Sequence, residues 1–204
     1  MGTELDIAGA FIYDGIHEFC RLKYISNDGS TFASLYNMAV GIERLEKIVY
    51  VLWSLDDEVD ETKFEKELIT HSHTGLRDKL KIHNEYIEFS KQENALFELL
   101  RGFYNTARYM RFNIDGDWDK ELELIRAFLK SDSNYVETNT DLFYDNRIEA
   151  NENAKNLFGR TLKSIATKYY ELIRKGSSKN QTYTYELRAD SKASKIFYSQ
   201  ESSL

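Results

Sequence analysis

The sequence predicts an all-α fold, an up-down helical bundle with an additional helical, partly irregular C-terminal region. Three observations lead there. The chain of 204 residues contains no proline, so the strongest helix breaker is absent throughout. Apolar residues recur at steps of three and four over several long stretches, the spacing of one helix face. An apolar fraction of 42%, with 12 Phe and 14 Tyr, supplies a core and argues against a disordered chain. Residues 1–112 read as the bundle and 113–204 as a C-terminal helical extension packed on it, one structural domain overall.

The first helix is expected from Thr3 to Lys23, with Thr3 and Asp6 as a capping box and Ala8, Phe11, Ile12, Gly15, Ile16, Phe19 and Leu22 as its stripe. Asn27-Asp28-Gly29-Ser30 marks a turn. A second helix, Thr31 to Leu55, carries Leu35, Ala39, Ile42, Leu45, Val49 and Leu52; its later half is apolar nearly all round, which predicts the most buried helix. A short helix follows at 63–69, and another is expected at 76–83. Ser90 with Glu93 is a capping-box pattern that opens a long helix from Lys91 to Phe112. A helix at 118–129, a polar loop at 131–146 and a last long helix at 149–175 complete the main body, with Gly176 as the stop. Thr182 to Leu187 alternates like a short strand, and 190–198 reads as a final helical turn or two. Tyr183, Tyr185 and Phe197 are expected to close the bundle.

The formal net charge of −7 argues against a protein coated in nucleic acid, yet leaves room for a local basic patch. Cys20 is the single cysteine, which excludes an intramolecular disulfide and a cysteine metal cage. No basic, then apolar leader opens the chain, no apolar run reaches about 18 residues, and Asp6 stands where a myristoylation signal wants Ser or Thr. A cytoplasmic setting without a membrane is therefore expected.

One stretch concentrates chemistry. Residues 101–112 place three arginines and four aromatics in an otherwise acidic chain. On a helix, Arg101, Tyr104, Arg108 and Arg111 share one face, suited to gripping phosphates and stacking on bases, or to burying arginines against carboxylates. Glu43 and Lys47 lie one turn apart on the most apolar helix, and a charge facing that core needs a partner, which Arg108 or Arg101 on the long helix can provide. Arg77 followed by Asp78 and then His83 offers a phosphate clamp near a general base, the combination that metal-independent RNA cleavage uses. An exposed turn with solvated Arg and His accounts for the same spacing. His71, His73 and His83 lack a carboxylate or Cys in a recognised ligand spacing, so neither metal nor cofactor is expected.

The phrase from Leu35 to Lys47, LYNMAVGIERLEK, resembles the HEPN superfamily of helical domains. The spaced Leu76 and Leu80 and the long helix reaching Arg108-Tyr109 agree with it, over roughly residues 5–112. The resemblance implies a HEPN-like bundle and an association with RNA, in toxin–antitoxin, phage-defence or RNA-processing systems, often as a homodimer or with a protein partner. Active members carry Arg and a later His, which Arg77 and His83 match, ahead of the long helix rather than late in it. The helix bearing Arg108 has no histidine. A non-catalytic binding or accessory protein is thus the first expectation, a metal-independent endoribonuclease using Arg77 and His83 the second, and a purely structural interaction module the third.

Overall fold

The structure, a computed structural model, describes residues 1–54, 61–69, 75, 78, 87–107, 119–137 and 147–198. Its helices are α1 (Gly2–Arg21), α2 (Gly29–Ser54), α3 (Glu61–Leu68), α4 (Lys91–Gly102), α5 (Lys120–Leu129), α6 (Glu152–Lys179) and α7 (Lys192–Tyr198). Two two-residue strands, β1 (Tyr24–Ile25) and β2 (Ile148–Glu149), pair antiparallel with Tyr24 opposite Glu149 and Ile25 opposite Ile148. The fold is accordingly all-α, with β1–β2 as a clip between the first hairpin and the start of α6. Apart from Asp78, which is helical, the expected helix at 76–83 lies outside the described residues, as does most of the connecting loop at 131–146.

α1 and α2 form an antiparallel pair whose backbones nearly touch. Leu5, Ala8, Ile12, Ile16 and Phe19 bury one face of α1 against Leu35, Met38, Ile42, Leu45 and Val49 of α2. Two glycines permit the approach. A Cβ on Gly41 would lie 2.6 Å from Ile12 Cγ1 and 3.0 Å from the Ile12 nitrogen, and one on Gly15 would lie 2.9 Å from the Met38 nitrogen. Ser34 Oγ also donates to the Gly15 carbonyl at 2.8 Å. The expected Thr3/Asp6 capping box is not formed. The helix begins at Gly2, so Thr3 already has helical backbone angles instead of the extended ones a cap requires, and both side chains are exposed. Asp28 caps α2, accepting from the Thr31 N–H at 2.9 Å and from Ser26 Oγ at 2.6 Å. Partial burial pushes its carboxyl pKa up, but these bonds outweigh burial and leave it lowered.

α6 packs on α2, α4 and α1. Phe158 meets Phe19 at 4.1 Å and Phe128 of α5 at 4.5 Å between ring centroids. The helix runs through Gly176 to Lys179, past the expected stop. Gly176 is needed for contact: a Cβ there would come within 2.9 Å of Trp53 Nε1 and 3.0 Å of Leu52 Cβ. The actual stop is a Schellman turn, with Gln181 left-handed at φ 52, Thr182 N–H bonded to Ser177 O at 2.9 Å and Gln181 N–H to Ser178 O at 3.3 Å. Asn180 Nδ2 then fastens this end to the Leu52 carbonyl at 2.6 Å.

The expected strand at 182–187 is a 3-10 turn at Tyr185–Leu187 preceded by extended residues. Glu186 O accepts from Tyr170 Oη at 2.9 Å and from Ser191 Oγ at 2.8 Å, which uses the backbone locally instead of in a ladder. Phe197 closes the bundle as expected, 1% exposed and 5.0 Å from the Tyr170 ring. Tyr183 and Tyr185 do not: they are 78% and 60% exposed. Their alternation with threonine has no apolar layer to face. Among the described residues no helix is long and apolar enough to cross a membrane.

Candidate functional site

The site selected from sequence sits where α4 ends. Ser90 and Glu93 form the capping box that starts this helix: Ser90 Oγ accepts from the Glu93 N–H at 3.2 Å, and Glu93 Oε2 accepts from the Ser90 N–H at 2.6 Å. The expected helix to Phe112 is described only as far as Ala107; residues 108–112 lie outside the described residues. It gives way at Phe103–Ala107 to a π-helical segment, a widened turn often found at functional positions. The wider turn sets two neighbouring rings against α2 together. Phe103 meets Phe32 edge-on at 5.2 Å and 68°, and Tyr104 lies near-parallel to Tyr36 at 6.2 Å and 17°. Gly102, just before it, packs on α5, where a Cβ would lie 2.9 Å from Leu124 Cδ1.

On α2, Phe32 and Tyr36 are one turn apart and stack at 6.3 Å with 7° between their planes. Phe32, Tyr36 and Tyr104 therefore form a run of near-parallel rings. Phe32 and Tyr36 are half-buried, whereas Tyr104 is only 7% exposed. Stacking capacity toward a ligand thus rests with Phe32 and Tyr36. These two are absent from the sequence-derived site because their four-residue spacing reads equally as core. Arg101, one turn before Tyr104, is exposed and bonds to Glu98 on its own helix, with Nε 3.1 Å from Glu98 Oε2. It is not the cation beside Glu43. Arg108 and Arg111 lie outside the described residues, as do Arg77, His83, His71 and His73.

Glu43, nearly buried, accepts from Lys47 Nζ at 2.6 Å, one turn along α2. Sequence gave no hint of a denser polar centre at Glu93. Its carboxylate, 4% exposed, takes Lys168 Nζ at 2.7 Å and Ser164 Oγ at 2.7 Å in addition to the Ser90 N–H. Lys168 also donates to the Glu88 carbonyl at 2.9 Å and stands 5.3 Å from the Phe89 ring centre. Burial pushes the Glu93 pKa up, yet Lys168, Ser164 and the Ser90 N–H together hold it below its ordinary value. This centre docks α4 on α6. Lys168 gives two of its three N–H donors to Glu93 and the Glu88 carbonyl, which ties it into this packing centre.

In the last turn of α5, Arg126 Nε bonds Glu137 Oε1 at 3.0 Å beside Tyr135, whose pKa is pushed up to about 12 by burial first and by Glu137 second. A phenol so raised stays protonated and serves as a donor, not a base. Among the described residues no group of three His, Cys, Asp or Glu side chains is placed to hold a metal ion. The described geometry thus offers two partly exposed rings on α2, with the Glu98-paired Arg101 one turn before the buried Tyr104. No protein-family model, curated protein or solved structure matches the chain.

Proposed function

We propose that this chain is an RNA-associated binding component, an accessory protein of the kind found in toxin–antitoxin or phage-defence systems, acting in the cytoplasm as a homodimer. The observation that carries the reading is the run of near-parallel rings through Phe32, Tyr36 and Tyr104, half-open at Phe32 and Tyr36, with the exposed, Glu98-paired Arg101 one turn before Tyr104. Splayed bases stack on partly exposed rings, and a neighbouring guanidinium contacts phosphate. The resemblance of residues 35–47 to HEPN domains supports the same class of partner, and Tyr36 lies within that phrase.

Bulk RNA incubated with the purified protein tests the reading. RNA retained in complex and left intact is expected. Cleavage that disappears on His83→Ala would instead establish a metal-independent endoribonuclease using Arg77 and His83. RNA neither bound nor cut would leave a protein-interaction module, with the arginines as salt-bridge partners. Light scattering reads the dimer directly.

A further inference from the structure

A second surface lies at the far end of the molecule, where α6 stops. Within residues 174–190 stand four cations, Arg174, Lys175, Lys179 and Arg188, against two acids, Glu186 and Asp190, in a chain whose formal net charge is −7. All four cations are exposed. Three lie beside aromatic rings: Arg174 is 5.7 Å from the Tyr198 centroid, Lys179 is 4.9 Å from that of Trp53, and Arg188 is 5.4 Å from that of Tyr185. The Schellman turn reverses the chain after Lys179, and Tyr183 and Tyr185 follow it into solvent at 78% and 60% exposure. Basic residues in a last helical turn complement the helix dipole, which accounts for Lys179. Arg188 Nε pairs with Asp190 Oδ1 at 3.3 Å on the surface, but neither the dipole nor this pair accounts for two large rings left in water.

We propose that this surface binds single-stranded nucleic acid, the cations on phosphates and Tyr183 and Tyr185 on bases. Unpaired bases present a stacking face to any exposed ring, and cations placed beside the rings follow the backbone at the same time. The bases of a duplex are stacked on one another and closed to such contacts. An anionic membrane would call for inserted apolar side chains. Instead the exposed neighbours are Ser178, Asn180, Gln181 and Thr182, hydrogen-bonding groups that suit phosphate and sugar. The surface is separate from the one around Arg101: Tyr36 and Trp53 mark the two ends along α2, about 26 Å apart at helical rise.

Fluorescence anisotropy with a labelled single-stranded oligouridylate tests the proposal, using wild type, K175E/R188E, Y183A/Y185A and R101E. The substituted side chains are exposed, and circular-dichroism melts verify that each variant stays folded. Expected are salt-sensitive binding by wild type, weakening of about 10-fold or more in each of the two C-terminal double variants, and poor competition by a matching duplex. The proposal is overturned if both double variants bind as wild type does while R101E does not, since the other surface then carries all the binding. It is equally overturned if wild type ignores the oligonucleotide, or if phosphatidylserine vesicles are bound in its place.

Discussion

Tyr169 of α6 donates its phenolic proton to Glu46 Oε1 of α2 at 2.8 Å, and both residues are fully buried. The bond joins the two longest helices across 123 residues of sequence. Phe97 and Phe89 stand around the Tyr169 ring at 6.4 and 5.9 Å, so α4 and the residues before it close over the same place. Removing the hydroxyl takes a donor from a buried carboxyl group. Tyr169→Phe is expected to lower unfolding stability by about 1–3 kcal/mol in urea titrations, with little change in the slope of the transition.

Glu93 gives a pH signature. Its pKa is lowered in the folded chain, so its contribution is present above the unfolded carboxyl value and is lost as pH falls through the folded one. Stability should therefore decline below about pH 4.5, the ordinary range of a glutamate. In Glu93→Gln the helix cap is partly kept but the Lys168 charge loses its partner. That variant should be less stable near pH 7 by about 1–3 kcal/mol, with a flatter acid limb in thermal melts.

Three glycines separate close packing from mere flexibility. Gly41→Ala should destabilise by about 1–3 kcal/mol, because the added Cβ meets Ile12 side chain and backbone together. Gly176→Ala meets the Trp53 ring and should fall in the same range. Gly159 lies inside α6 with nothing within 4 Å of an added Cβ, so Gly159→Ala should stabilise by about 0.5–1 kcal/mol. Chemical denaturation of the three variants provides the comparison.

What sequence disclosed and what it hid divide along local and tertiary lines. The stripes of α1 and α2 and the Ser90/Glu93 box depend on neighbours within a turn or two, and both are legible from spacing. Gly176 was not, because its purpose is set by Trp53 on another helix, and local rules see a glycine as a stop. β1 and β2 are too short for any period to register. Tyr183 and Tyr185 alternate like a strand, but exposure is decided by whether an apolar layer faces them. At the candidate site, the spacing of Arg101 and Tyr104 reads as one turn, yet which rings stay open depends on the packing of α2 on the π segment. That information is not carried by residues 101–112 alone.

The tail offers a contrast on one short segment. Phe197→Ala should cost about 3–5 kcal/mol, since the ring is buried against Tyr170. Tyr183→Ala, with a ring mostly in solvent, should stay within about 0.5 kcal/mol of wild type. Equal losses at both positions would contradict the described docking of the C-terminal segment.

Ultraviolet cross-linking of bound single-stranded RNA, followed by mass-spectrometric identification of the adduct, tests the RNA-binding role of the α2–π segment most directly. Peptides carrying Phe32 or Tyr36 are the expected sites, and Tyr36→Ala should remove the adduct while weakening binding by roughly 5- to 150-fold, about 1–3 kcal/mol per stacked base. Absence of any adduct, or adducts confined to Tyr183 and Tyr185, would contradict a role for the Phe32–Tyr36–Arg101 surface in RNA binding.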